Sequence, residues 1–209
     1  MSTAQASKNC ITLKGSAQII VEYLKYGINS ILFQRGIYPA ENFSTSQQYG
    51  LTILMSKDEK IITFLQNVLT QTEEWLSKNM TNKISMVITN AHTKEVLECW
   101  EFKMQAELGD GKDSSGDPMK TTSSKELARI QNEIRDVMRQ ISATVSYLPL
   151  LDCICAFDVM IHTLENTEIP KEWDETGEVS IQNAQAVKLR SFSTGLHKVE
   201  TVVNYKMTS

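Results

Sequence analysis

SSKELARIQNEIRDVMRQISATVSYL, residues 123–148, has the spacing of one long amphipathic helix. Its large aliphatic residues, Leu127, Ile130, Ile134, Val137, Met138, Ile141, Val145 and Leu148, recur at steps of three and four. At a helical pitch they fall within an arc of about 100°, the stripe of a helix lying on a core. Arg129, Arg135, Asp136, Arg139 and Gln140 occupy the opposite side. Ser123 followed by Glu126 has the form of a capping box, whose hydroxyl and carboxylate satisfy N–H groups left open by the first turn. Pro149 forbids continuation and holds Leu148 out of helical geometry. Burying these side chains contributes on the order of 12–24 kcal/mol before entropy is subtracted. No other segment concentrates so much apolar surface, so the helix is read as the hub of the fold.

Upstream of it, Ala17, Ile20, Val21, Leu24, Ile28, Ile31 and Leu32 keep helical spacing from about residue 13. Arg35 in the last turn, Gly36 and then Pro39 mark the exit. A short β-rich run at 49–55 precedes a second helix, opened by Ser56 with Glu59 and carrying Ile61, Ile62, Phe64, Leu65, Val68, Leu69, Trp75 and Leu76. Two strands, 83–89 and 95–107, flank the polar turn NAHTK. Val87 beside Ile88 breaks strict alternation, as in a strand covered on both faces. Residues 109–124 lack large apolar side chains and read as a loop inside the domain.

Beyond the hub, LLDCICAFDVMIHT (150–163) reads as a core strand. Residues 165–178 are acidic and contain Pro170, Trp173 and Gly177. Two further strands, 187–194 and 196–207, turn at Gly195, with Val199, Thr201, Val203, Tyr205 and Met207 on one face. A β-ribbon tethered through a polar loop reads as a segment laid over the body rather than built into it. The mixture, without βαβ alternation, predicts an α+β domain: a mostly antiparallel sheet with three helices on one face.

The composition excludes several functions. Of 209 residues, 41% are apolar and 22% charged, and the net charge of −4 with no Lys/Arg run argues against a nucleic-acid surface. No apolar stretch is long enough to span a membrane, and residues 1–10 form a polar arm rather than a signal peptide. Cys10, Cys99, Cys153 and Cys155 suit reduced thiols. Cys153 and Cys155 face the same way on a strand but lack a second pair for a metal, so they read as small core residues. His92, His162 and His197 have no partners at ligand spacing, and no phosphate loop, nucleophile elbow or zinc helix is present. Glu73-Glu74, Asp152 with Asp158, and Asp174-Glu175 show no arrangement that tunes a pKa, so no enzyme and no cofactor is expected. Trp173 reads as an anchor pinning the acidic loop to the body. Arg135 and Arg139 at i, i+4 repel one another, a cost of a few tenths of a kcal/mol that fits a face in use.

Five blocks, GINSILFQRGIYP (27–39), YGLTIL (49–54), EIRDVMRQISATVSYLPLL (133–151), PKEWDETG (170–177) and VKLRSFSTGLHKVETVVNYK (187–206), resemble the HORMA-domain proteins of the mitotic spindle assembly checkpoint, of the mitotic arrest-deficient type. The resemblance runs from about residue 11 to 206, with the linker at 108–122 matching least. It implies a mobile arm at 1–10 and one HORMA domain at 11–207, with a core at about 11–163 and a C-terminal safety belt at about 164–207. It further implies an adaptor that switches between open and closed conformers and captures a partner peptide as an added β-strand. The captured peptide would be that of the coactivator of the anaphase-promoting complex, which the adaptor thereby inhibits. Leu151, Cys153, Cys155, Phe157 and Val159 match the receiving strand. Trp173, Val187, Leu189, Phe192, His197, Val199, Val203 and Tyr205 match the belt. Leu13 and Val199 match the conformer switch, and Arg35, Arg139, Gln140 and Tyr147 match the surface through which open and closed copies dimerise. The other partners implied are a coiled-coil kinetochore protein, kinase-type or pseudo-kinase-type checkpoint members, and an AAA-type ATPase with a HORMA-like adaptor. The nucleus, kinetochore, spindle and cytoplasm are the implied locations, and neither nucleic acid nor membrane is a partner. A sister HORMA adaptor, a translesion polymerase accessory subunit or a meiotic chromosome-axis protein, is the alternative.

Overall fold

A computed structural model describes residues 10–110, 121–164, 167, 169–177 and 179–207. The polar arm at 1–10 thus lies outside the described residues except for Cys10, as does most of the loop at 109–124. The first long element is helix α1 (Leu13–Gln34), preceded by the two-residue strand β1 (Ile11–Thr12). The Thr12 hydroxyl accepts from the Gly15 N–H at 3.1 Å, an N-cap bond that starts the helix. At the other end Gly36 takes φ +63° and the Ile37 N–H reaches the Leu32 carbonyl at 3.1 Å, the left-handed closure that favours glycine. Ile20, Leu24, Ile28, Ile31 and Leu32 are wholly buried, and so is Tyr23 on another side of the same helix. A helix apolar on most sides sits inside a domain, whereas a striped one lies on its surface. The hub is therefore α1, not the striped helix.

Strands β2 (Phe43–Gln48) and β3 (Leu51–Ser56) form a hairpin on α1. Its two-residue turn places Tyr49 at φ +53° and Gly50 at φ +70°, the handedness that matches strand twist. The Asn29 side chain on α1 accepts from the Ser56 N–H at 2.9 Å and ties the hairpin down. Helix α2 (Glu59–Ser77) follows. Its cap is Asp58, whose carboxylate accepts from the Lys60 and Ile61 N–H groups, so the expected Ser56–Glu59 box does not form.

The main sheet contains β4 (Thr81–Asn90), β5 (Val96–Ala106), β7 (Cys155–Thr163), β8 (Ala184–Ser193) and β9 (His197–Lys206) in the order β7-β4-β5-β9-β8, every neighbour antiparallel. Ile84, Met86 and Ile88 of β4 pack toward the helices, and Val87 is also buried on the opposite face, as its sequence predicts. The ribbon β8–β9 is built into the sheet: β9 runs along β5 for nine paired residues, from Glu98↔Tyr205 to Ala106↔His197. This corrects the expectation of a segment laid over the body. Met207 lies beyond β9 and is exposed.

Helix α3 spans Leu127–Thr144, shorter than the predicted 123–148. Ser123 is held in strand β6 (Thr122–Ser123), which pairs with β1. Its hydroxyl accepts from Lys125, and Glu126 caps the helix without a side-chain bond. Leu127 is 51% exposed, while Ile130, Ile134, Val137, Met138 and Ile141 are buried as predicted. Leu148 is buried from the loop after the helix.

Candidate functional site

Strand β7 is the edge of the sheet rather than a core strand, and it begins at Cys155. The chain before it, with Leu150 at 88% exposure, is irregular. Leu151 and Cys153 therefore precede the strand, while Cys155, Phe157 and Val159 lie on it. The register fixes where their backbone groups point. Ile154 accepts from the Ala91 N–H at 2.8 Å, Leu164 donates to the Met80 carbonyl at 2.8 Å, and His162 accepts from the Thr81 hydroxyl at 2.7 Å. All three contacts lie on the β4 side and all three residues are even-numbered. Strand alternation then turns the backbone N–H and C=O groups of Cys155, Phe157, Val159, Ile161 and Thr163 to the free edge. No strand pairs with that edge among the described residues. The Val159 N–H there has a local partner, donating to the Asp158 carboxylate at 2.7 Å.

An unpaired edge this long is a template for another strand. Side chains of the same residues make the template selective. Phe157 packs edge-on to Tyr38 and Phe64, with ring centroids 6.1 and 5.7 Å away, and Val159 is buried.

Beside this edge lies a cavity of about 1030 Å³ whose walls include Phe64 and Trp75 of α2, Val159 and Ile161 of β7, and Ile169 and Trp173 beyond it. Its outer wall is the stretch after β7. Trp173 leans on Trp75 with ring centroids 5.9 Å apart, and its N–H turns back to the Pro170 carbonyl at 3.0 Å. Trp173 is thus an anchor holding the acidic stretch over the slot. The connectivity makes this stretch a strap. β7 is one edge of the sheet and β8, next in sequence, is the opposite edge, so residues 164–183 carry the chain from one side to the other.

The remaining belt residues lie on that far side and do not cover the slot. Leu189, Phe192, Val199 and Val203 are buried under the helices, and Val187 and Tyr205 join the same cluster. Tyr23 stacks edge-on to Phe192 at 4.9 Å and its hydroxyl lies 2.7 Å from that of Thr201. Burial raises the Tyr23 pKa, so the phenol stays neutral and bonded. At the ribbon's tip Gly195 takes φ +86°, and a Cβ there would meet the Ser123 hydroxyl at 2.0 Å, so only glycine fits.

The tip is pinned by polar contacts that the sequence alone does not reveal. Ser16 of α1 lies 2.6 Å from the Thr194 hydroxyl and 2.7 Å from Nδ1 of His197. His197 is buried, its Nε2 has no partner among the described residues, and desolvation pushes its pKa down to about 4, with Glu107 opposing the shift. Lys125 reaches both Glu133 (2.8 Å) and the Ser193 carbonyl (2.7 Å), and Ser193 donates to Glu107. Leu13 is buried at the start of α1, one turn before this cluster.

The four residues matched to a dimer surface are not placed alike. Arg139 is exposed on α3 and Tyr147 is 55% exposed after it. Gln140 is half-buried: its side-chain oxygen accepts from the Arg190 N–H of β8 at 2.5 Å, while Arg190 pairs with Asp136 at 3.4 Å. Arg35 is a correction. It is not a surface cation but is buried in a forked pair with Glu98 of β5, with Nε–Oε distances of 2.9 and 3.2 Å. Its other nitrogen donates to the Pro149 carbonyl at 2.6 Å, and Trp100 donates to the same carboxylate at 3.1 Å. The signal for this was present: Glu98 shares the inward parity of Trp100, Phe102 and Met104, and a carboxylate there requires a partner. Among the described residues no group of three side chains is placed to hold a metal ion.

Comparison with known proteins agrees with this architecture. Residues 16–197 match the HORMA domain model. The mitotic spindle assembly checkpoint protein MAD2A of Homo sapiens is 46% identical over 197 residues, covering 94% of this chain and 93% of that one. Its namesake in Dictyostelium discoideum is 44% identical over 209 residues, covering both chains fully. Among solved structures, a chain of the crystal structure of the mitotic checkpoint complex superposes with a TM-score of 0.81 at 36% identity, covering 92% of this chain and 99% of that one.

Proposed function

This chain belongs to the HORMA-domain family, among its spindle assembly checkpoint proteins, which are non-enzymatic adaptors, and from that premise we propose that it inhibits the anaphase-promoting complex by capturing a segment of its coactivator. The observation that carries this reading is the free edge of β7 beside a cavity walled on its other side by Ile169 and by Glu172 to Thr176. An extended peptide entering the slot takes backbone hydrogen bonds from Cys155, Phe157, Val159, Ile161 and Thr163, and its side chains meet the apolar wall formed by Phe64, Trp75 and Trp173. Asp158 releases the Val159 N–H when the incoming carbonyl replaces it. The strap then holds the peptide topologically as well as by contact, which slows dissociation more than it speeds association. In the same reading a coiled-coil kinetochore protein supplies a second captured segment, checkpoint kinase-type members complete the assembly, and an AAA-type ATPase with a HORMA-like adaptor reopens it. These events place the protein at kinetochores, in the nucleus and on the spindle.

The test is release of a fluorescein-labelled synthetic segment of the coactivator, followed by anisotropy. Trp173→Ala removes the strap's anchor and should accelerate release at least tenfold while the circular dichroism spectrum is kept. Unchanged release in that variant, or no binding to the parent protein, overturns the reading.

A further inference from the structure

Cys153 and Cys155 stand where β7 begins, their Sγ atoms 3.8 Å apart, and the Cys155 thiol donates to the Cys153 carbonyl at 3.4 Å. We propose that this pair is a reversible redox site which, on oxidation to a disulfide, loosens the receiving edge of β7. The two thiols already point to the same side, and a bond requires the sulfurs to approach from 3.8 Å to about 2.05 Å. Cys153 has the freedom to move, because it precedes the strand and its neighbour Ile154 makes the first contact with the β4 hairpin. It is half-buried and lines a cavity of about 330 Å³ with Leu151, Glu98 and Tyr205, a route by which a small oxidant reaches it. Cys99 is outside the reaction: Glu98 and Trp100 face the helices, so Cys99 faces the other side of the sheet and is buried there.

The oxidant is a small-molecule disulfide such as oxidised glutathione. The Cys153 thiolate, its proton lost to solvent, attacks one sulfur of that disulfide, forming a mixed disulfide and expelling one thiolate. Cys155 then loses its proton and attacks the Cys153 sulfur, expelling the second thiolate. The protein loses two protons and two electrons, and the small disulfide takes up both to become two thiols. Burial and the neighbouring Cys153 raise the Cys155 pKa to about 11, so the second step is slow on thiolate fraction and relies on proximity. A ring closed across one intervening residue is strained, and strained disulfides are readily reduced, which makes the site reversible.

Closing that ring bends 153–155 out of extended geometry. It draws Ile154 from the Ala91 N–H and Cys155 from its place opposite Asn90. Cys155 is also the first residue whose backbone faces the slot, so the loss reaches the captured strand. This last consequence rests on the peptide reading above, whereas the thiol chemistry does not.

The full chain is incubated with oxidised glutathione, alkylated and digested with trypsin. The peptide between Arg139 and Lys171, which holds both thiols, should lose about 2 Da, regain it with dithiothreitol, and show no loss in Cys153→Ser. Amide exchange at Ala91 should accelerate at least tenfold on oxidation, and release of the labelled segment at least threefold, neither change occurring in Cys153→Ser. Both thiols remaining alkylatable, or a glutathione adduct persisting on Cys153, overturns the site. A disulfide that leaves exchange at Ala91 unchanged overturns the loosening. If the reduced parent never binds the segment, the peptide reading fails alone, and the mass and exchange measurements still decide this one.

Discussion

A buried ion pair and a buried histidine set what single substitutions do here. Arg35 and Glu98 are both almost inaccessible, and each satisfies the other. Removing one member of such a pair leaves an unpaired charge in the core, a loss of about 3–5 kcal/mol, whereas replacing both by apolar residues of similar volume recovers most of it. Arg35→Ala should therefore lower the urea midpoint far more than Arg35→Met combined with Glu98→Leu. Equal midpoints for the two variants would return Arg35 to the role of a surface cation. His197 behaves oppositely, because it is buried neutral. Its pKa falls from 6.5 to about 4 on folding, so the unfolded chain takes up the proton first as pH drops. Its contribution is whole above pH 6.5, shrinks as pH falls toward 4, and amounts to about 3 kcal/mol over that window. His197→Gln, which cannot titrate, should lose that part of the acid sensitivity. A pH profile parallel to that of the parent between these limits would show that the ring is solvated in the fold.

Among the elements, α3 joins two tasks on one helix. Its inner face packs on the core, and its outer face holds β8 through Gln140 and Asp136, while Arg139 makes no side-chain hydrogen bond or ion pair among the described residues. The resemblance assigns this face to association between closed and open copies, so Arg139→Glu should abolish that association with a change in stability of no more than about 0.5 kcal/mol. Gln140→Ala should instead cost about 1 kcal/mol as well, because the Arg190 N–H loses its acceptor. Light scattering on mixed peptide-bound and free protein, with thermal melts of each variant, separates the two effects. Dimers of unchanged strength in Arg139→Glu would leave the cation merely solvated. The same helix marks how far the sequence could be read. Periodicity found its buried stripe, α1, α2 and the pairs β4–β5 and β8–β9, since each follows from spacing alone, but of the hairpin β2–β3 it found only the run at 49–55. It assigned the hub to α3 because a stripe is conspicuous, while α1, apolar on most sides, gives a weaker periodic signal and a deeper burial. The end of α3 was misread for a different reason: Ser123 caps nothing because β1 claims its backbone, a contact 112 residues away that no local pattern carries. The slot was legible only through resemblance, since strand order is a property of the whole sheet.

At the scale of the molecule, the sheet has two edges and the chain one ribbon to fill them. β8–β9 now completes the edge of β5, and β7 is left open. The shorter path in sequence leads elsewhere: β8 follows β7, so an antiparallel ribbon placed directly beside β7 would need no crossing strap. A ribbon placed beside β7 would also cover its apolar face, and it would exclude the placement beside β5. Exchange between them requires that the β5–β9 ladder from Glu98↔Tyr205 to Ala106↔His197 be broken while Val199, Val203 and Phe192 leave the core. That simultaneous loss makes a high barrier, so the two folds should interconvert over hours rather than milliseconds. The β1–β6 pair and the Ser16–Thr194–His197 cluster hold the ribbon's tip beside β5 and would be lost if the ribbon left, so they should bias the ratio toward the fold described here. Leu13 and Val199 stand on the two sides of that junction, both buried. Leu13→Ala and Val199→Ala should each change the proportion of the two species, beyond the loss of about 2–5 kcal/mol or less that a cavity gives either one. Ion-exchange chromatography of fresh protein should resolve two peaks. Each, re-injected after a day at room temperature, should regenerate the other, and added peptide should collect both into one. Amide spectra of the two peaks should differ throughout β5, β7, β8 and β9. A single peak whose spectrum responds to peptide only along β7 would mean that the ribbon never leaves β5 and that the strap alone opens to admit the ligand.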